Sequence, residues 1–382
     1  MDEKKMKCMD QDSQAVSVHF PRIMIAAEKS GGGKTLFTCA LLSLLKEKIQ
    51  EVRAFKCGPD YIDPMFHRTV LEIPSRNLDS FFADGDTLRY LLGREVLEME
   101  KFPESRIAVL EGVMGFYDGL GGVTERSSAW EVADLTDTPV ILLVDMMGRS
   151  LSALASIKGF LDYKEKSHVT GVVFNRLSPM LYPGLKERAE RELGIRVFGY
   201  VPELKDMTLE SRHLGLVMPE EILGIRERLD LIKEKVRVGI NLDGIIEEAG
   251  RAAEIEVKLP EAVRQFCNVD CGTGIKKTVV AVAKDEAFCF YYEDNLDLLK
   301  KLGAEIQYFS PIHDRNLPEG TCAVYLGGGY PELHAKALSE NISMRNAIRQ
   351  AVMEEVPCIA ECGGYLYLKD SIVDPDGVEW PM

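Results

Sequence analysis

Between positions 22 and 217, short apolar runs alternate with stretches whose apolar residues recur every three or four positions. The runs fall at 23–26, 52–55, 107–110, 140–144, 169–174 and 197–201. Each has the length and continuity of a strand buried on both faces. With helical patterns between most of them, the expected fold class is α/β, a parallel sheet with helices on both faces. A site in such a sheet lies at the carboxyl ends of its strands. A second α/β unit starts at Thr278, with strands at 279–283, 305–309, 323–326 and 358–360 and helices at 295–302 and 343–355. The expected organisation is a disordered N-terminus over 1–20, a first domain over 21–218, a connector over 219–277 and a second domain over 278–382. Within the connector, 222–235 is charged and helical, whereas 257–274 has proline, glycine and no clear period.

Composition narrows the function classes. The chain has 382 residues, 46% of them hydrophobic, enough for sizeable cores in two or three domains. A formal charge of -15 repels nucleic acid and anionic membrane surfaces, so neither is an expected partner. Residues 1–18 are polar and mixed in charge, without the apolar segment of a signal peptide, and no run is long enough to span a membrane. The nine scattered cysteines form no regular framework, and Cys267 and Cys271 lack the second pair a zinc site needs. The expectation is a cytoplasmic protein with free thiols.

The first candidate chemistry follows the first strand. Ala27-Glu28-Lys29-Ser30-Gly31-Gly32-Gly33-Lys34-Thr35 stands between an apolar run and a helical pattern over 36–48. Gly31, Gly32 and Gly33 let backbone N–H groups converge on phosphate oxygens, and the helix N-terminus adds partial positive charge. Lys34 can reach the outer phosphates of ATP, and the Thr35 hydroxyl can hold Mg²⁺. The usual pattern has glycine where this chain has Glu28, while Lys29 matches an extra lysine found in a subgroup of such ATPases. After the second strand, Lys56-Cys57-Gly58-Pro59-Asp60-Tyr61-Ile62-Asp63-Pro64 forms a tight loop. Asp60 and Asp63 read either as groups beside the nucleotide or as turn formers; Asn77-Leu78-Asp79 is a weaker signal of the same kind. Glu111 ends the third strand and reads as the metal ligand a P-loop protein holds there, or as a helix cap or turn residue. Asp118, in the following Gly-rich loop, reads as a contact to a second metal or the substrate, or as a turn residue. Asn175, at the end of the fifth strand, suits an adenine edge or a turn. Arg212 and His213 read as ligands for an acidic substrate or as structural residues.

The second unit carries its own site. Glu361-Cys362-Gly363-Gly364 follows a short strand and opens a helical stretch, the nucleophile-elbow arrangement. Such a turn exposes Cys362 and aims backbone N–H groups, including that of Gly363, at a developing oxyanion. The Gly327-Gly328-Gly329 loop can add donors, with Gly328 and Gly329 as candidates. Cys358 reads as core.

Taken together, Gly58-Pro59-Asp60-Tyr61-Ile62-Asp63-Pro64, Glu111-Gly112-Val113-Met114-Gly115-Phe116-Tyr117-Asp118-Gly119, Arg212-His213-Leu214-Gly215, Gly327-Gly328-Gly329-Tyr330-Pro331-Glu332-Leu333 and Ala360-Glu361-Cys362-Gly363-Gly364-Tyr365 resemble the cobalamin-pathway glutamine amidotransferases. The resemblance spans most of the chain from Arg22 onward. It implies a P-loop ATP-binding amide synthetase domain followed by a partial class I glutamine amidotransferase domain. The implied reaction is ATP-dependent amidation of the a- and c-acetate carboxylates of cobyrinic acid through acyl phosphates, with Mg²⁺. The ammonia comes from glutamine through a thioester on Cys362. The resemblance places Asp60, Tyr61 and Asp118 at the tetrapyrrole or intermediate site and implies a homodimer. The Gly-Gly-Gly-Tyr-Pro-Glu segment favours this reaction over that of the cobyric acid synthases, but leaves hydrogenobyrinic acid and nickel-sirohydrochlorin open as substrates.

One departure stands out. Such an amidase needs a histidine base, which the family carries well after the nucleophile, while His313 and His334 both precede Cys362. The end of the chain reads like the middle of a domain, so the expectation is a truncated protein with impaired glutaminase activity. From a different class, a regulatory or partitioning ATPase would explain the Lys29 loop but not the second unit.

Overall fold

The computed structural model describes residues 15–97, 105–204, 219–261, 264 and 278–382, with the side chains of 219–223 left aside. The chain divides into two compact units, 1–261 and 262–382.

The first unit is built on seven parallel strands. In chain order they are β2 (Arg22–Ala27), β3 (Glu51–Cys57), β4 (Ser75–Leu78), β5 (Arg106–Glu111), β6 (Val140–Asp145), β7 (Val169–Asn175) and β8 (Arg196–Val201), preceded by a short β1 (Val16–Val18). Their spatial order is β4-β3-β5-β2-β6-β7-β8. β2 is buried at every position, and its side chains alternate between two cores. Met24 and Ala26 join one face, and Ile23, Ile25 and Ala27 join the other. The chain reverses direction in strand order at β2, which places the loop after β2 at the crevice where such sheets bind ligands.

Each of the six apolar runs read from the sequence lies within one of these strands. β4 carried no apolar run; its Ser-Arg-Asn-Leu sequence is that of an edge strand, paired only with β3. The segment 15–20 is not disordered. β1 pairs antiparallel with β9 (Ile255–Val257), and Phe20 is fully buried. The strand has no local signal because its partner lies some 240 positions away in sequence. Nor is 219–261 a free connector: α7 (Pro219–Gly239) and α8 (Leu242–Gly250) put Leu229, Ile232, Val236, Ile245 and Ala249 into the core of the first unit. Arg22 ties this addition to the sheet. Its guanidinium is fully buried and donates to the carbonyls of Phe20, Ala253, Thr136 and Asp137 and to Thr138 Oγ1. Burial lowers it to about 10, leaving it charged.

The second unit has four parallel strands, β10 (Thr278–Ala283), β11 (Ala304–Phe309), β12 (Thr321–Leu326) and β13 (Cys358–Ala360), in the order β11-β10-β12-β13. A hairpin of β14 (Ser371–Val373) and β15 (Glu379–Pro381) follows. Cys358 is half-buried against the core, where burial pushes its thiol up.

Candidate active sites

The loop after β2 opens α1 (Lys34–Lys46), with Gly33 as N-cap. Gly31 and Gly33 have φ of 71° and 88°, the left-handed region glycine favours. No side chain caps the helix, so its first N–H groups face the loop. Asn175 lies beneath: its Nδ2 donates to the Gly32 carbonyl at 3.0 Å, and a Cβ on Gly33 would meet that nitrogen at 2.5 Å. In this arrangement Asn175 supports the phosphate loop; its amide is not turned out as an adenine edge partner. Glu28, the departure from the usual pattern, has a local reason. Its carboxylate accepts from Arg149 at 2.8 and 3.1 Å and from the Asp145 N–H at 3.2 Å, tying the loop to the end of β6. Asp145 in turn pairs with Lys29 at 3.2 Å and with Arg176.

At the foot of the loop, Thr35 Oγ1 donates to Glu111 Oε1 at 2.7 Å and lies 3.4 Å from Asp63 Oδ2. Lys56 Nζ, on β3, donates to Asp63 Oδ2 at 2.5 Å and to Glu111 Oε1 at 2.9 Å. Strand register explains the second contact, because Lys56 and Glu111 are partners in the β3–β5 ladder. Burial opposes the Lys56 charge, but Glu111 and Asp63 outweigh it and hold the ammonium protonated. Burial, with Asp63 nearby, pushes Glu111 up to about 7 against the pull of Lys56. Burial also lowers Lys34 to about 8, and its Nζ donates to the Met114 carbonyl.

These oxygens fit a hard divalent cation. Thr35, Glu111 and Asp63 offer a hydroxyl and two carboxylates around one point, and Mg²⁺ is commonly held by one or two protein groups plus phosphates and water. Among the described residues no group of three or more His, Cys, Asp or Glu forms an all-protein cage. Lys56 adds a positive charge beside these carboxylates.

Asp60 is turned into its own loop, its Oδ1 accepting from the N–H groups of Ile62 and Asp63 at 2.9 and 3.2 Å. Asn77 Nδ2 pins the same loop through the carbonyls of Gly58 and Asp60. Tyr61 immediately precedes the helix α2 (Ile62–Thr69). Asp118 closes the loop after β5, its Oδ2 accepting the Gly115 N–H at 3.1 Å. Arg212 and His213 lie outside the described residues, as do Cys267 and Cys271. Near the ends of β6, β7 and β8 a cavity of about 610 Å³ is lined by Met146, Arg149, Arg176, Leu177, Pro179 and Pro202, among others.

In the second unit Cys362 stands between β13 and α12 (Gly363–Tyr367), exposed, with φ of 48° and ψ of −109°. A non-glycine residue there is strained, and the flanking structure holds it. The Gly364 N–H donates to the Gly327 carbonyl at 2.9 Å and the Glu361 N–H to that of Leu326 at 2.9 Å. A Cβ on Gly328 would lie 3.4 Å from Cys362 Cβ, and one on Gly363 would lie 3.2 Å from the Gly329 nitrogen. The loop and the elbow are therefore in contact. His313 pairs with Glu286 at 3.0 Å. His334 ends the short 3-10 turn Pro331–His334 and is the N-cap of the helix Ala335–Glu340, and its Nε2 is buried without a partner. Among the described residues no histidine hydrogen-bonds the Cys362 thiol.

Comparison with known proteins adds to these two sites. The CobQ/CobB/MinD/ParA nucleotide binding domain matches residues 23–217, and the CobB/CobQ-like glutamine amidotransferase domain matches 279–382. The cobyrinate a,c-diamide synthase of Thermoplasma volcanium is 39% identical over 94% of this chain and 76% of its own length. The chain belongs to the cobyrinate a,c-diamide synthase family. Members from Priestia megaterium and Caldanaerobacter subterraneus are 36% and 38% identical, each over 94% of this chain and about three quarters of their own length. Among solved structures, chloroplast FtsY of Physcomitrella patens gives a TM-score of 0.37 at 14% identity over 59% of this chain and 72% of its own, too remote to carry an argument.

For a family member, several site residues carried little sequence signal. Lys56 was visible as a lysine ending an apolar strand, but its role needed the β3–β5 register. The Glu28–Arg149 pair spans 121 positions, and His67, discussed below, lies just past the Gly58–Pro64 motif in the helix that motif opens.

Proposed function

We propose that this protein amidates the a- and c-acetate carboxylates of cobyrinic acid, using ATP and ammonia drawn from glutamine. The observation that carries the reading is the Thr35 hydroxyl on Glu111 at the foot of a glycine loop that ends in Lys34, whose Nζ donates to the Met114 carbonyl. Thr35 and Glu111, with Asp63 beside them, would hold Mg²⁺, which when bound would offset the negative charge of the ATP phosphates. Lys34 and Lys29 offset charge on the transferring phosphoryl group, Lys29 leaving Asp145 to do so. The cavity beside Arg149 and Arg176 is within the size range of small-molecule sites and would take the nucleoside. A substrate carboxylate oxygen attacks the γ-phosphorus, and ADP leaves. Ammonia then attacks the acyl carbon, and phosphate leaves with that oxygen. Asp60, Tyr61 and Asp118 border the acid. Exposed Phe81, Phe82, Met114, Leu120 and Val123, on the loops after β4 and β5, offer an apolar rim to the macrocycle.

In the second unit the Cys362 thiolate would attack the glutamine amide carbon, with the N–H groups of Gly328, Gly329 and Gly363 stabilising the oxyanion; the C–N bond breaks as the nitrogen takes a proton from water and leaves as ammonia, and a further water hydrolyses the thioester to glutamate. The homodimer that the resemblance implies and the cytoplasmic setting read from composition and the free thiols belong to the same proposal. The test is ADP release with Mg·ATP and cobyrinic acid, with ammonia and with glutamine. The expected result is release that requires the tetrapyrrole, is abolished in Thr35→Ala and persists with ammonia in Cys362→Ala. Release unaffected by the tetrapyrrole, or by Thr35→Ala, would refute the reading.

A further inference from the structure

Beneath the metal-site residues lies a buried imidazole that the proposed reaction leaves idle. His67, on α2, is fully buried. Its Nδ1 lies 3.1 Å from Ser75 Oγ, on the first residue of β4. Its Nε2 lies 3.7 Å from Glu111 Oε2. Neither of those two atoms has a hydrogen-bond partner, and both are buried. The other carboxylate oxygen, Glu111 Oε1, is engaged by Thr35 and Lys56.

An unpaired buried polar atom is costly, and here two complementary ones face each other a few tenths of an ångström beyond bonding distance. The chemistry fixes the polarity of the pair. Ionised, as a metal ligand must be, the Glu111 carboxylate only accepts, so Nε2 must carry the proton. Nδ1 must then accept, which the Ser75 hydroxyl satisfies by donating. Ser75 is itself held, since its carbonyl accepts from Arg68 at 2.8 Å. A small ring tilt completes a relay from Ser75 through His67 to Glu111.

We propose that His67 is a positioning residue for phosphoryl transfer: its Nε2–H, set by the Ser75 hydroxyl, holds Glu111 Oε2 so that Oε1 stays turned toward Thr35 and the metal position. This rests on the reading of Thr35 and Glu111 as metal ligands. Partners of this kind behind a metal ligand change metal affinity by about 10–100-fold when removed.

Two measurements test it. The first needs no turnover: ¹⁵N NMR of histidine-labelled protein, with the His67 signals assigned by their loss in His67→Phe. The expected ring is neutral and protonated at Nε2; protonation at Nδ1 overturns the proposal. The second is the Mg²⁺ dependence of ATP binding, followed by calorimetry and, in parallel, by ADP release. His67→Phe should raise the Mg²⁺ requirement about tenfold and Ser75→Ala should raise it in the same direction. His67→Gln, which keeps a donor near Nε2, should restore most of the native value, while the KM for the tetrapyrrole stays unchanged. A native Mg²⁺ requirement in Ser75→Ala and His67→Gln together with folded His67→Phe would overturn the proposal. Because the binding arm uses ATP and Mg²⁺ alone, it decides the role of His67 even if the assigned tetrapyrrole proves wrong.

Discussion

Lys56 shows how strongly one residue can set a site. It is buried among Asp60 at 3.7 Å, Asp63 at 2.5 Å and Glu111 at 2.9 Å. Removing the ammonium leaves carboxylates facing each other out of water, and breaking a buried pair costs about 3–5 kcal/mol. Lys56→Met should therefore lower stability by about that amount in denaturant melts, and Lys56→Met with Glu111→Gln should recover part of it. A loss below about 1 kcal/mol would show that water reaches these carboxylates. His67 gives a pH signature. Burial lowers it to about 4 from the usual 6.5, so the unfolded chain binds a proton there that the folded ring refuses. Its contribution is lost as pH falls and recovered as pH rises from 4 to 6.5. The stability gap between native protein and His67→Gln should shift in favour of the native across that window; a gap independent of pH would contradict the burial of His67. Neither residue was legible as a partner of Glu111. The sequence shows charges and a histidine, but not the register that makes Lys56 the neighbour of Glu111 or the helix that turns His67 toward it.

At the scale of elements, the six sheet strands read as apolar runs were legible because parallel strands buried on both faces leave continuous hydrophobic stretches. The glycine loop was legible because its chemistry is local. The reason Gly33 must be glycine was only half visible. Its left-handed φ could be expected of a tight loop, but Asn175 pressing from a strand 142 positions later could not. Gly33→Ala thus faces both strain and a clash, and should abolish ATP binding by calorimetry while lowering the melting temperature by several degrees, as about 1–3 kcal/mol of strain would. Binding at native affinity would mean that the loop adapts. The segment 219–261 was misjudged for a general reason: periodicity shows that a helix has an apolar stripe, not which surface the stripe covers. α7 and α8 cover the same face of the sheet as α1, and the three-residue β1 and β9 close the far side with no run long enough to notice.

At the scale of the whole molecule, the chain couples two chemistries on separate units. The first gathers Lys34, Thr35, Glu111, Asp63 and Lys56 under a phosphate loop; the second presents Cys362 on a strained elbow against a glycine loop. In the proposed reaction a substrate carboxylate is activated by phosphorylation before ammonia attacks it. Oxygen tracing tests this most directly. Cobyrinic acid carrying ¹⁸O in its acetate carboxylates would be incubated with the protein, Mg·ATP and ammonia, and the released phosphate analysed by mass spectrometry. An acyl phosphate should leave one labelled oxygen in phosphate for each amide formed. Amide formation with unlabelled phosphate, or ATP hydrolysis with all label retained in the acid, would contradict it.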